Sequence, residues 1–148
     1  MIPLRLQVAA RALIIVEKKI LLVSNDKSYW YLPGGRLALG EDLKTCLKRE
    51  VMEETGLEVE PHDLWQLTEF LDLDGRIHDE PTHKVECIFR ASLLNGELDP
   101  NWIDEDLSVN HSQFFSLEEV QKIKAFPNFI HEGTWLKQSP PFIYRDMT

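Results

Sequence analysis

Three glutamates and an arginine fall within Arg49-Glu50-Val51-Met52-Glu53-Glu54-Thr55-Gly56. The rest of that stretch reads as the end of a helix. Clustered carboxylates are what Mg²⁺ and Mn²⁺ prefer, because hard divalent cations take oxygen ligands. Wound at about 100° per residue, Glu54 falls about 40° from Glu50, with Leu43 and Leu47 on the same arc. The two acids therefore share the apolar stripe that faces the protein, while Lys44 and Lys48 flank it on the outer side. Like charges at i,i+3 and i,i+4 cost a few tenths of a kcal/mol per pair, and carboxylates in a last turn oppose the helix dipole by about 0.3–1 kcal/mol each. A divalent cation would remove both conflicts. A solvated acidic face is the competing reading, and on these grounds alone the two stand about level.

The surrounding sequence separates them. Gly35, Glu41, Arg49, Glu50, Val51, Glu53, Glu54, Gly56 and Leu57 reproduce the pattern G-x5-E-x7-R-E-U-x-E-E-x-G-U, where U is a bulky aliphatic residue. This resembles the Nudix box at every defined position. The lead-in Trp30-Tyr31-Leu32-Pro33-Gly34-Gly35 resembles the W-x-L-P-G-G that commonly precedes it.

The resemblance implies an α/β fold, a Nudix-type α/β/α sandwich around a mixed sheet. It also implies hydrolysis of a nucleoside diphosphate linked to another group, by water attack at phosphorus with metal help. Carried onto this chain, Glu50, Glu53 and Glu54 become the Mg²⁺ ligands, with Mn²⁺ as an alternative, and the carbonyl of Gly34 or Gly35 adds a further oxygen. The catalytic set is Glu50, Glu53, Arg49 and Glu105; Arg49 and Glu41 brace the loop and helix. Glu50 is the first choice of base. Glu105, in the loop Pro-Asn-Trp-Ile-Asp-Glu-Asp with Asp104 and Asp106 beside it, is the second, and Glu86 is a third.

Arg36, Arg11 and Lys84 are candidates for gripping phosphate, each weighed against an ordinary surface charge. Trp30 and Trp102 are candidates for stacking on a base, weighed against a place in the core. The family's ADP-ribose hydrolases often carry a proline where this chain has Asp72. Its dinucleoside polyphosphate hydrolases often carry a tyrosine beyond the box, and no tyrosine lies between Tyr31 and Tyr144. A nucleoside triphosphate or nucleotide-linked metabolite is therefore the expected substrate, with ADP-ribose and dinucleoside polyphosphates as alternatives. A non-catalytic nucleotide sensor on the same fold is the rival reading; sensors usually lose box glutamates, and this box is intact.

The elements that must hold these residues can be read from periodicity. Leu6–Val16 and Ile20–Ser24 read as a hairpin across Glu-Lys-Lys, and Tyr29–Leu32 reads as a strand stopped by Pro33-Gly34-Gly35. Gly40 is the expected N-cap of the box helix and Gly56 its C-terminal stop. Val59–Leu71 and His83–Leu93 read as strands about a turn at Asp74-Gly75. In the second, Val85, Cys87, Phe89 and Ala91 share one face. Ser116 and Glu119 form a capping box, and Asn128–Lys137 reads as a last helix.

With 148 residues, 43% of them hydrophobic, the expectation is one domain over 1–148. The N-terminus lacks a signal-peptide pattern, no apolar run spans a bilayer, and two cysteines form no framework, so a cytoplasmic setting is expected, with no membrane partner. A formal charge of −9 argues against a nucleic-acid polymer as partner and leaves a small nucleotide. Assembly is left between a monomer and a homodimer.

Overall fold

The computed structural model describes residues 4–76 and 80–137, and the backbone of 144–146. The long strand β1 (Leu6–Val16) turns back into β2 (Lys19–Ser24) through Glu17 and Lys18. Both turn residues take positive φ, 51° and 64°, which matches the twist that a two-residue hairpin loop requires.

After β3 (Trp30–Tyr31), the Pro-Gly-Gly segment does more than end a strand. Gly34–Arg36 form β4, which pairs antiparallel with Ala9–Arg11 of β1. Gly34 takes φ 146°, and an added Cβ would collide with the Ala10 carbonyl and lie 2.8 Å from the Arg11 Cα. Only glycine fits this close strand approach.

Helix α1 (Leu43–Thr55) follows. Its N-cap is Asp42, not Gly40: the Asp42 carboxylate accepts from the Thr45 amide at 2.8 Å, whereas Gly40 lies in the preceding turn. A carboxylate satisfies an orphan helical N–H that glycine cannot. Gly56 closes the helix in the left-handed region at φ 74°, as expected.

The remaining elements are β5 (Glu58–Asp72), β6 (Thr82–Asn95), β7 (His111–Phe115), α2 (Leu117–Val120), β8 (Ala125–Phe126), α3 (Phe129–Glu132), a 3-10 turn at Thr134–Leu136 and β9 (Tyr144–Asp146). Ser116 and Glu119 form the expected capping box, but α2 spans four residues. The single helix expected over Asn128–Lys137 is broken at Gly133, left-handed at φ 75°, into α3 and the 3-10 turn.

The described strands form one mixed sheet with the path β8-β3-β2-β1-β6-β5-β9, β4 pairing β1 and β7 pairing β2. The central β1–β6 pairing is parallel, while β5 and β6 are antiparallel. Alternation along the strands sends side chains to two cores. Ala10, Ala12, Ile14, Leu21, Cys87 and Phe89 pack with Cys46, Leu47 and Val51 of α1. Leu13, Ile20, Leu22, Trp65 and Ile88 pack with Val120, Phe129 and Trp135 on the other face. Two helical layers thus cover one sheet, the α/β/α arrangement expected. Among the described residues, no helix is long and apolar enough to cross a membrane.

Candidate active site

The box helix lies against β4 and the start of β5, which sets its acidic side beside the Gly34-Gly35 turn. Glu54 is buried at 7% exposure and accepts the Gly34 N–H at 2.8 Å. Its inward position is the one given by the Leu43/Leu47 stripe. Burial pushes the Glu54 carboxyl up to about 8, and the charges of Glu50 and Asp104 add to that shift. The Gly34 N–H and Arg11 oppose it. Burial also raises Glu50, against the pull of Arg49.

Arg49 ties the acids together. Its Nε and Nη2 bond the two oxygens of Glu41 at 2.8 and 2.9 Å, and its Nη1 reaches Glu50 at 2.9 Å and Glu53 at 3.3 Å. The paired bonds to Glu41 hold that carboxyl down near 2 and keep the guanidinium firmly charged. Through these bonds Arg49 ties the helix to Glu41 of the preceding loop.

Gly35 stands directly under Glu50. A Cβ built on Gly35 would lie 2.5 Å from Oε2 and 2.7 Å from Oε1 of Glu50. The missing side chain is the seat of that carboxylate. Gly35 O faces the Cys46 thiol at 3.6 Å, and Gly34 O accepts from Arg11 Nη1 at 3.1 Å.

The donor set fits a hard divalent cation: three carboxylates from one helix and two backbone carbonyls, with no soft ligand required. Among the described residues, no three carboxylate, thiol or imidazole side chains stand ready around a common point. Arg49 Nη1 is instead what neutralises Glu50 and Glu53. Its anchorage on Glu41 uses other nitrogens, so Nη1 can yield these two carboxylates without freeing the side chain.

Of the predicted phosphate grips, Arg11 is near the cluster but internally engaged. Its Nε meets Glu86 at 2.8 Å, its Nη1 meets the carbonyls of Leu32 and Gly34, and its guanidinium lies 5.8 Å from the Tyr31 ring centre. Burial works against its charge, and Glu86 and Glu54 outweigh that. Lys84 pairs with the other Glu86 oxygen at 3.2 Å. Burial would raise Glu86, but Arg11 and Lys84 hold it below the usual carboxylate range. Arg36 is exposed on β4.

The loop before β7 contributes differently from expectation. Glu105 is exposed, while Asp104 is buried at 3% and accepts from Asp106 N, Ser108 Oγ and Val109 N. Trp30 is in the core, edge-on to Phe115. Trp102 is 40% exposed; its indole N–H donates to the Glu53 carbonyl at 2.9 Å, and its ring fills the space above Gly56. A cleft of about 230 Å³ opens beside Glu54, walled by Lys27, Trp102, Asn110 and His111.

Three features escaped the sequence reading: the inward turn of Asp104, the latch of Trp102 onto the box helix, and the placement of Tyr31 beside Arg11. Only Tyr31 had a signal. In Tyr29-Trp30-Tyr31 a strand alternation that buries Trp30 must turn both tyrosines the other way.

Residues 5–134 match the family described as the NUDIX domain, and the chain belongs to that family. It is similar to an ADP-ribose pyrophosphatase of Methanocaldococcus jannaschii, 29% identical over 78% of this chain and 65% of that one. It also resembles the 8-oxo-dGDP phosphatase NUDT18 of Homo sapiens, 40% identical over 36% of this chain and 18% of that protein. The chain thus spans less than two thirds of the length of these curated relatives. A crystal structure of an ADP-ribose pyrophosphatase from Streptococcus suis superposes with a TM-score of 0.67 at 26% identity, covering 95% of this chain and 98% of that one. The fold is likewise shared with a mutator MutT protein from Bacillus halodurans, TM-score 0.71 at 21% identity over 93% of this chain and 86% of that one.

Proposed function

We propose that this chain hydrolyses a phosphoanhydride bond in a nucleoside diphosphate linked to another group, with Mg²⁺ or Mn²⁺ held by Glu50, Glu53 and Glu54 and a Gly34 or Gly35 carbonyl. The observation that carries this reading is the convergence of a buried Glu54 with a Glu50 carboxylate seated on the missing side chain of Gly35. When bound, the cation supplies charge neutralisation and polarises the phosphoryl oxygens.

The chain's own groups do the rest. The attacking water forms a bond to phosphorus, the bond from phosphorus to the bridging oxygen breaks, and the departing phosphate carries away the electron pair. Glu50, its carboxylate seated over Gly35, accepts the water's proton. Glu105, exposed on its loop, is the second candidate for that role. Arg49 keeps the acids in register, and the Trp102 latch and the Asp104 bonds hold the loop that walls the cleft. The free buried thiols of Cys46 and Cys87 accord with a cytoplasmic setting.

Because two similar proteins are named ADP-ribose pyrophosphatases, ADP-ribose is the first substrate to try, despite Asp72. Asp72 itself is buried and caps the following turn at the Arg76 amide. The test is product release from ADP-ribose, nucleoside triphosphates, 8-oxo-dGDP and dinucleoside polyphosphates, with Mg²⁺ and with chelator. Chelator-sensitive cleavage of at least one is expected; binding without cleavage across the panel would favour the sensor. Glu50→Gln and Glu105→Gln, each assayed across pH, assign the base.

A further inference from the structure

β3 and the edge strand β8 run parallel, pairing Trp30 with Ala125 and Tyr31 with Phe126. The first pair points into the core, where Trp30 and Ala125 are 5% and 2% exposed. The second therefore shares the opposite face. There Tyr31, Tyr29 and Phe126 make a continuous aromatic strip: Tyr29 lies 5.7 Å from Tyr31 and 5.8 Å from Phe126 between ring centres. Tyr29 is 44% and Phe126 47% exposed, a large apolar outlay for surface residues.

The inner end of the strip abuts the box. Tyr31 lies under the Arg11 guanidinium; Arg11 bonds the Gly34 carbonyl, and the Gly34 amide bonds Glu54. At the outer end, Lys124 Nζ is 5.7 Å from the Phe126 ring centre. Tyr29 and Phe126 meet at 76°, so a planar group lying flat on one ring would meet the other edge-on. Those are the two favoured aromatic geometries. The cleft beside Glu54 is walled by Lys27, Asn110 and His111, which suit a sugar phosphate, and by Trp102, whose indole is tied to the Glu53 carbonyl and packed over Gly56.

We infer that Tyr29 and Phe126, with Tyr31 behind them, form the stacking platform for the nucleobase of the substrate. This rests on the hydrolase reading for its substrate class, but it is a binding claim and is testable without turnover. The strip would bind any planar base by its face, so selectivity among bases is expected to be weak.

The probes are AMP and ribose 5-phosphate, which differ only by the base, titrated into the wild-type chain with ¹H–¹⁵N spectra and saturation-transfer measurements. AMP is expected to bind about tenfold more tightly than ribose 5-phosphate, with saturation reaching base protons H2 and H8. Tyr29→Ala and Phe126→Ala should each erase most of that difference and leave ribose 5-phosphate affinity unchanged. Tyr29→Phe and Phe126→Tyr should restore it. The proposal is overturned if both alanine variants keep the wild-type preference for AMP, or if Trp102→Ala alone abolishes it. Loss of all cleavage with this pattern intact would overturn the hydrolase reading instead.

Discussion

Gly35→Ala tests the seat of Glu50 more sharply than removing the carboxylate does. Unlike Gly34, Gly35 does not take a positive φ, so alanine is compatible with its backbone. The added methyl would lie 2.5 Å from Oε2 of Glu50, and ordinary van der Waals contact needs roughly an ångström more. The obstacle is the far end of a flexible side chain, so the fold yields by moving that carboxylate. A catalytic group misplaced by about 1 Å loses roughly 10²-fold in rate. The loss of glycine's freedom in the unfolded chain is worth about 0.4–1 kcal/mol and partly offsets the displacement. The expected result is a Tm within about 3 °C of wild type, with kcat/KM down about 10²-fold and weakened Mn²⁺ binding by electron paramagnetic resonance. Gly40→Ala gives the converse: nothing lies within 4 Å of the new Cβ, but φ is 84°, so it should lose stability through backbone strain while keeping its activity. Full activity in Gly35→Ala at an unchanged Tm would refute the claim that this glycine exists to seat Glu50.

Further outcomes follow from the same contacts. Arg49→Lys keeps the charge but loses the two-pronged grip on Glu41; with Arg49 about a third exposed and solvent screening the pair, a small loss of stability is expected by urea denaturation. Glu86, held below its usual range, contributes stability that is present above about 4.5 and is lost as pH falls through its lower folded value. Glu86→Gln should therefore be less stable than wild type at pH 7, with the gap closing in acid. Gly56→Ala forces a left-handed alanine against Trp102 at 2.8 Å; a loss of at least about 1 kcal/mol is expected, with altered Trp102 fluorescence. Val51→Ala, in the core under α1, should cost about 1–3 kcal/mol without changing the metal dependence.

Much of this was legible in the chain. The box helix ended at Gly56 as its sequence required, and Glu54 fell inward because it shared an arc with Leu43 and Leu47. The N-cap was misread because Gly40 and Asp42 both suit that place, and only the Asp42–Thr45 bond decides between them. The last helix was misread because local pattern does not reveal that Gly133 adopts a left-handed turn and stops it. At the site, Glu105 and Asp104 are neighbours of like chemistry, and which one folds inward depends on the bonds from Ser108 and Val109. Arg11 looked like a free cation because its partners, Glu86 and Gly34, arrive from two other strands. The aromatic strip depends on a parallel pairing between residues far apart in sequence, Tyr31 and Phe126, which no local periodicity encodes.

The central claim is that the box carboxylates hold a divalent cation at which a nucleoside diphosphate linkage is cleaved. Its most direct test is hydrolysis of ADP-ribose, or of whichever panel nucleotide the wild type cleaves fastest, as a function of Mg²⁺ for wild type and Glu54→Gln. The account predicts saturable Mg²⁺ dependence in the wild type, and a variant that folds normally but turns over at least about 10²-fold more slowly at every Mg²⁺ concentration. Equal turnover by wild type and Glu54→Gln, or wild-type turnover that persists in chelator, would contradict it.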